Sequence, residues 1–434
     1  MTMTLYHLVD TFWVSKLGHE AIAALAVIMP IQVVIIAVAL GSGIGISSLT
    51  SRRFGEGNIE VTNHIAGHCF TISISVGVFF IFLFTTFTRQ LLSIGGATPD
   101  IMDYAAQYLR MVAFGAPFLV FSNNTNELLR GSGDALRPMI FSITGAVLNM
   151  ILDPLLIFGP GPFPEMGIAG AALATVISQF TGALIAFLYI VVLRRSAYRI
   201  RPGHLRPSLS ILRNIYSVGF PTMIIEFTQS AIFILLNQVL SGFGSVALAA
   251  GGLAMRIIDF AYMPVFGASQ GLLPIVGFNY GSRLWHRLWG AVRLASLGLA
   301  VILGVFTIFA VIFSPQIIGI FTDKAELIDQ GITAVRIFLS AVCVFGPSYM
   351  FITTFMGLGK GKDVFFLSVA RQLMFIISLL ILPRFLEING AWMSMPVSDF
   401  AGFIIGGFWL MREYKILRKL MSWVDLAGET ELSG

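Results

Sequence analysis

The sequence predicts an all-α integral membrane protein, with twelve transmembrane helices, the first of them truncated, in two pseudo-symmetric six-helix bundles. Three observations carry that prediction. Of 434 residues, 56% are hydrophobic and only 11% charged, where soluble domains carry about a quarter. Apolar runs long enough to cross a bilayer, roughly 20 residues each, recur from end to end and leave no room for a sizeable soluble domain. Small residues also repeat at a constant offset of 226 positions.

The runs centre near residues 10, 35, 76, 118, 148, 180, 228, 262, 302, 344, 373 and 401. Only "MTMTLYHLVDTFWVS" precedes Lys16, and these fifteen residues rise about 22 Å as a helix, short of a roughly 30 Å hydrocarbon core. The first span is therefore half length or its start codon is misplaced. It lacks the basic flank and small-residue cleavage site of a signal peptide.

Alternate connections hold the basic residues: Arg52 and Arg53, Arg130 and Arg137, the cluster Arg194 to Arg213, Arg283 to Arg293, then Lys360, Lys362 and Arg371, and finally Arg412 to Lys419, which is 20 of 27 in all. The positive-inside rule makes these connections and both termini cytoplasmic, in a multi-pass protein of the cell (plasma or inner) membrane. The formal charge of +5 thus reports orientation and implies no nucleic-acid partner. The most basic connection, within "RRSAYRIRPGHLRPSLSILR", divides the chain into an N-terminal lobe at 1–200, a linker at 201–214 and a C-terminal lobe at 215–434. Cys69 and Cys343 read as small core residues.

The repeat is read from small residues. At the offset of 226, Gly18 falls on Gly244, Ala21 on Ala247, Gly41 on Gly267, Gly55 on Gly281 and Gly131 on Gly357; after a slip of six, "GAALATVIS" from Gly170 meets "GAWMSMPVS" from Gly390. Parallel repeats of this kind belong to transporters, whose halves rock about a central cavity.

Certain polar residues break the repeat. Asn149, Asp153 and Pro154 in "LNMILDPLLIFG" map to Phe375, Leu379 and Leu380, and Asp10 maps to Leu236. Packing common to both halves does not require these carboxylates, and a charge at the middle of a span costs around 3 kcal/mol. Asn149 and Asp153, four apart, share a helix face. Pro154 has no N–H to give the carbonyl of Met150, so this turn offers an amide oxygen, a carboxylate and a free carbonyl. Such a set suits a small hard cation or a proton. The alternatives are a local helix bend for Asp153 and pairing with Lys16 for Asp10.

"LVDTFWVSKLG", "LGSGIGISSLTSRRFGEG", "LRGSGDALRPM", "LNMILDPLLIFG", "GIAGAALATVISQ", "LPIVGFNYGS" and "FMGLGKGKDV" resemble, in order, the multidrug and toxic compound extrusion (MATE) family. The resemblance is strongest to the branch of bacterial DNA-damage-inducible protein F and the archaeal transporters. It implies export of amphipathic, often cationic compounds in exchange for H+ or Na+, with no resident cofactor and no enzymatic activity, by a chain expected to act as a monomer. It further implies a coupling site of Asp10, Asn149, Asp153 and Thr175, with Tyr108 and Gln179 near the cavity. Glu226 matches a seventh-helix glutamate that another branch uses with a tenth-helix aspartate; the tenth span here has no acid, so Glu226 is left as a cavity residue able to attract a cationic drug.

Three smaller groups remain. His7 could titrate with Asp10. His64 and His68, four apart, have the spacing of a metal pair but no carboxylate or cysteine companions, so they are read as non-ligating. Arg256 and Asp259 are placed to neutralise one another. The rival function is a lipid or oligosaccharide flippase, which would need a large basic cavity.

Overall fold

A computed structural model describes the backbone of residues 2–431 and the side chains of residues 9–229 and 231–419. The described chain is helical: α1 (Thr2–Ser15), α2 (His19–Gly55), α3 (Ile59–Thr86), α4 (Thr88–Ile94), α5 (Pro99–Gly131), α6 (Leu136–Phe158), α7 (Ile168–Phe187), α8 (Leu209–Ser241), α9 (Ser245–Gly281), α10 (Trp285–Ile312), α11 (Ser314–Gly319), α12 (Ala325–Leu339), α13 (Val342–Leu358), α14 (Gly361–Ile381) and α15 (Pro383–Glu431). All twelve expected centres fall within helices. Among the described residues nine helices are long and apolar enough to cross a membrane, and α12 with α13, bent by 40° at their break, makes a tenth. The other two expected spans are α1, with 14 residues, and α5, whose apolar run is interrupted by Asn123, Asn124, Asn126 and Glu127.

The repeat in the sequence is a repeat of elements. Helices α2 and α9 both have 37 residues, and α3 and α10 both have 28, each pair starting 226 positions apart. The residues before α2 and α9, Gly18 and Gly244, share one backbone conformation at φ 117 and 105. Packing repeats as well. In the first half α5 is central, against α2, α3 and α7, while α6 lies on α7; in the second, α12 and α13 together pack on α9, α10 and α15, while α14 lies on α15.

The chain forms two compact units, 1–227 and 228–434. The first half of α8 belongs with unit 1 because it lies hard against α2: a Cβ at Gly41 would meet the Met223 side chain, and one at Gly45 the Ile215 carbonyl. In the middle of unit 1, α5 is strapped to its neighbours by side chains. Asn123 donates to the Ala39 carbonyl at 2.6 Å, Ser42 to Asn124 Oδ1 at 2.9 Å, and Asn124 to Ser73 Oγ at 3.3 Å. Such bonds contribute about 0.6 kcal/mol each inside membranes, so they fix relative position more than stability.

One expectation needs correction. Arg371, counted with the cytoplasmic connection, lies ten positions inside α14 and pairs at 2.8 Å with Asp399 of α15. Its charge is neutralised within the unit, so it carries no topological signal.

Candidate functional site

The candidate site is built on α1 and α6, which pack together. Asn149 and Asp153 are fully buried on one face of α6, and Asn149 Nδ2 donates to Asp153 Oδ1 at 3.2 Å. Asp10, 5% exposed on α1, lies close enough that its charge acts on Asp153. Trp13, one turn beyond Asp10, meets Phe158 near the end of α6 edge to face at 6.0 Å, which holds the two helices in register. Lys16 does not serve as the partner of Asp10; its Nζ sits over the Phe12 and Trp13 rings at 4.7 Å.

Three acceptors in this trio are buried without a hydrogen-bond donor: Asp10 Oδ1, Asn149 Oδ1 and Asp153 Oδ2. Buried oxygens are seldom left so, because each forfeits its bonds to water. Pro154 adds to the set, since α6 runs unbroken across it while its ring nitrogen gives the Met150 carbonyl no donor. Oxygen atoms alone, two of them on carboxylates, are what a proton or a hard cation takes.

Thr175 and Tyr108 are buried on α7 and α5, and Gln179 lies one turn beyond Thr175 with Oε1 buried and unpartnered. Gly115 of α5 makes room for that amide, because a Cβ there would collide with Gln179 Oε1. Glu226 is half-buried on α8. The His7 side chain lies outside the described residues.

The MatE family model matches residues 1–155 and 221–381. The chain belongs to the MatE family. The ends of the two matched stretches, residues 155 and 381, lie 226 positions apart, the offset read from the glycines. The chain is 24% identical to the multidrug export protein MepA of Staphylococcus saprophyticus over 91% of its own length and 86% of the relative's. It is 26% identical to the FAD transporter of Shewanella oneidensis, over 92% and 88%. A solved MOP superfamily transporter from Pyrococcus furiosus superposes with a TM-score of 0.88 at 29% identity, covering 96% of this chain and 93% of that one. As a MatE protein with many apolar spans, it is a multi-pass membrane transporter and not an enzyme.

In the second unit this MatE chain holds a polar group that the sequence reading missed. Arg371 Nε and Nη2 donate to Asp399 Oδ1 at 2.9 and 2.8 Å, and the guanidinium lies 5.0 Å from the centre of the Phe345 ring. Phe345 stacks in turn on Tyr262 at 4.1 Å, whose buried hydroxyl has no partner. The available signal was an acid and a base 28 residues apart in adjacent spans. Arg256 and Asp259 are both exposed on α9, with the arginine's charge acting on the carboxylate.

Proposed function

We propose that the chain is a cation-coupled antiporter, driven by H+ or Na+, that exports amphipathic, often cationic compounds by alternating access. It works in the plasma (inner) membrane with both termini cytoplasmic. The observation that carries this is the buried trio with three unpartnered oxygens, present in one half of a repeated fold and replaced by leucine and phenylalanine in the other. The name of the MepA relative, a multidrug export protein, supports the substrate class.

In this reading a cation arriving from outside neutralises Asp10 and Asp153 with help from Asn149. Helix α6, lacking one backbone bond at Pro154, then repacks against α1. Thr175 belongs with the coupling residues, Tyr108 and Gln179 line the space that the substrate gives up, and Glu226 attracts the substrate's positive charge. Antiport follows because cation and substrate favour different states. One inward charge supplies about 2.3 kcal/mol per 100 mV, enough for roughly fiftyfold accumulation.

A second reading, carriage of an aromatic anion, is favoured by the FAD transporter among the relatives. Proteoliposomes loaded with ethidium or with FAD, under an imposed pH gradient or sodium gradient one at a time, test both readings. Uphill ethidium movement under one gradient is expected. Movement of FAD alone favours the second reading, and equilibration insensitive to both gradients contradicts coupling.

A further inference from the structure

We propose that Glu60, His64 and His204 form a binding site for a divalent transition-metal ion of the zinc class. Glu60 and His64 are four apart in the first turns of α3 and share a face. His204 comes from a short 3-10 turn, Pro202–Leu205, in the basic connection ahead of α8. One ligand atom from each residue lies within 4.8 Å of the other two. Glu60 Oε1 is 2.9 Å from His204 Nε2, the rings of His64 and His204 are 4.6 Å apart, and His64 Nδ1 is buried without a partner. In the sequence His64 has only His68 at metal-pair spacing; the fold supplies a carboxylate and an imidazole. It also takes His68 away, since Nδ1 of that ring donates to the His64 carbonyl and Nε2 accepts from the Ser208 N–H.

The site is held in place on both sides of His204. Before it, the Arg199 N–H donates to Asn63 Oδ1 at 2.8 Å; after it, the Ser208 N–H reaches His68 at 2.8 Å. Gly67 of α3 lets the turn come close, because a Cβ there would strike the His204 carbonyl. Zinc bonds to nitrogen and oxygen run about 2.0–2.2 Å in a tetrahedral site, which puts ligand atoms about 3.4 Å apart, so side-chain rotations that draw the three atoms in by about 1 Å complete the set. Two imidazoles and one carboxylate leave a fourth position for water, as in open zinc sites.

Two hydrogen bonds of His204 must yield. The Arg201 N–H donates to His204 Nδ1 at 3.1 Å, so the metal-free ring carries its proton on Nε2. Binding through Nε2 replaces the bond to Glu60 with metal bonds from both groups and moves the proton to Nδ1, giving up the Arg201 bond, a small loss beside what three protein ligands gain from zinc.

The proposal rests on the fold and not on the coupling reading, since none of these residues belongs to the Asp10 and Asp153 trio. Calorimetric titration of zinc chloride into the full chain, purified in detergent, stripped with chelator and freed of any histidine tag, tests it. One zinc per chain is expected, on the order of micromolar or tighter. Glu60→Gln and His64→Ala, both at positions with exposed or half-exposed side chains, are each expected to weaken binding about tenfold or more. Absence of saturable binding up to about 1 mM, above the range of specific sites, overturns the proposal. So does binding that both substitutions leave unchanged.

Discussion

Glu387 sits at φ 49, ψ −133 inside α15, a conformation that costs a side-chain-bearing residue about 1–3 kcal/mol. Its counterpart 220 positions earlier, Gly167, holds φ 56, ψ −133 without that penalty. Glu387→Gly should therefore stabilise the protein by about 1 kcal/mol, read as a raised melting midpoint in detergent, while Glu387→Ala should gain little. The buried trio is the other residue-scale feature, and its parts were unequally legible. Asn149 and Asp153 declare themselves by sharing a helix face four positions apart. Asp10 lies more than a hundred positions away, and only the packing of α1 on α6 brings its charge to them. Which oxygens lack donors depends on rotamers, which no sequence pattern specifies.

At the scale of elements, the repeat is a packing rule. Helix α7 starts beside the end of α6, where a Cβ on Gly170 would strike the Leu156 carbonyl; α15 repeats this beside α14, with Gly390 against the Leu382 carbonyl. Gly390→Ala should thus force the two helices apart at a cost of about 1–3 kcal/mol, seen as a lowered melting midpoint. Glycine matches made this register visible in the sequence. The Arg371–Asp399 pair stayed hidden because hydropathy places an arginine in a basic connection, and only contact between α14 and α15 shows that it is neutralised. Arg371→Met leaves Asp399, 1% exposed, buried without its partner. The expected loss is about 3 kcal/mol, the low end for such pairs because the arginine side chain keeps 26% of its exposure. Adding Asp399→Leu should recover most of that loss. The bend between α12 and α13 was likewise read as one continuous span, since the apolar run crosses the break at Ser340 and Ala341.

Across the whole molecule, two like halves differ in their polar groups. Unit 1 holds Asp10, Asn149 and Asp153 where unit 2 buries Leu236, Phe375 and Leu379. Unit 2 holds Arg371 and Asp399 at positions that answer to Gly145 and Gln179. Shared packing sets the fold, so the differences are where a division of labour resides. The central claim is that the unit 1 trio couples cation entry to export. Asp153→Asn keeps the shape of the side chain and an oxygen to accept from Asn149 while removing its charge, which makes efflux by that variant the most direct measurement. Reconstituted beside the unaltered protein under the same imposed gradient, Asp153→Asn should insert and melt normally and show no uphill efflux. Gradient-driven efflux at the unaltered rate would contradict the account.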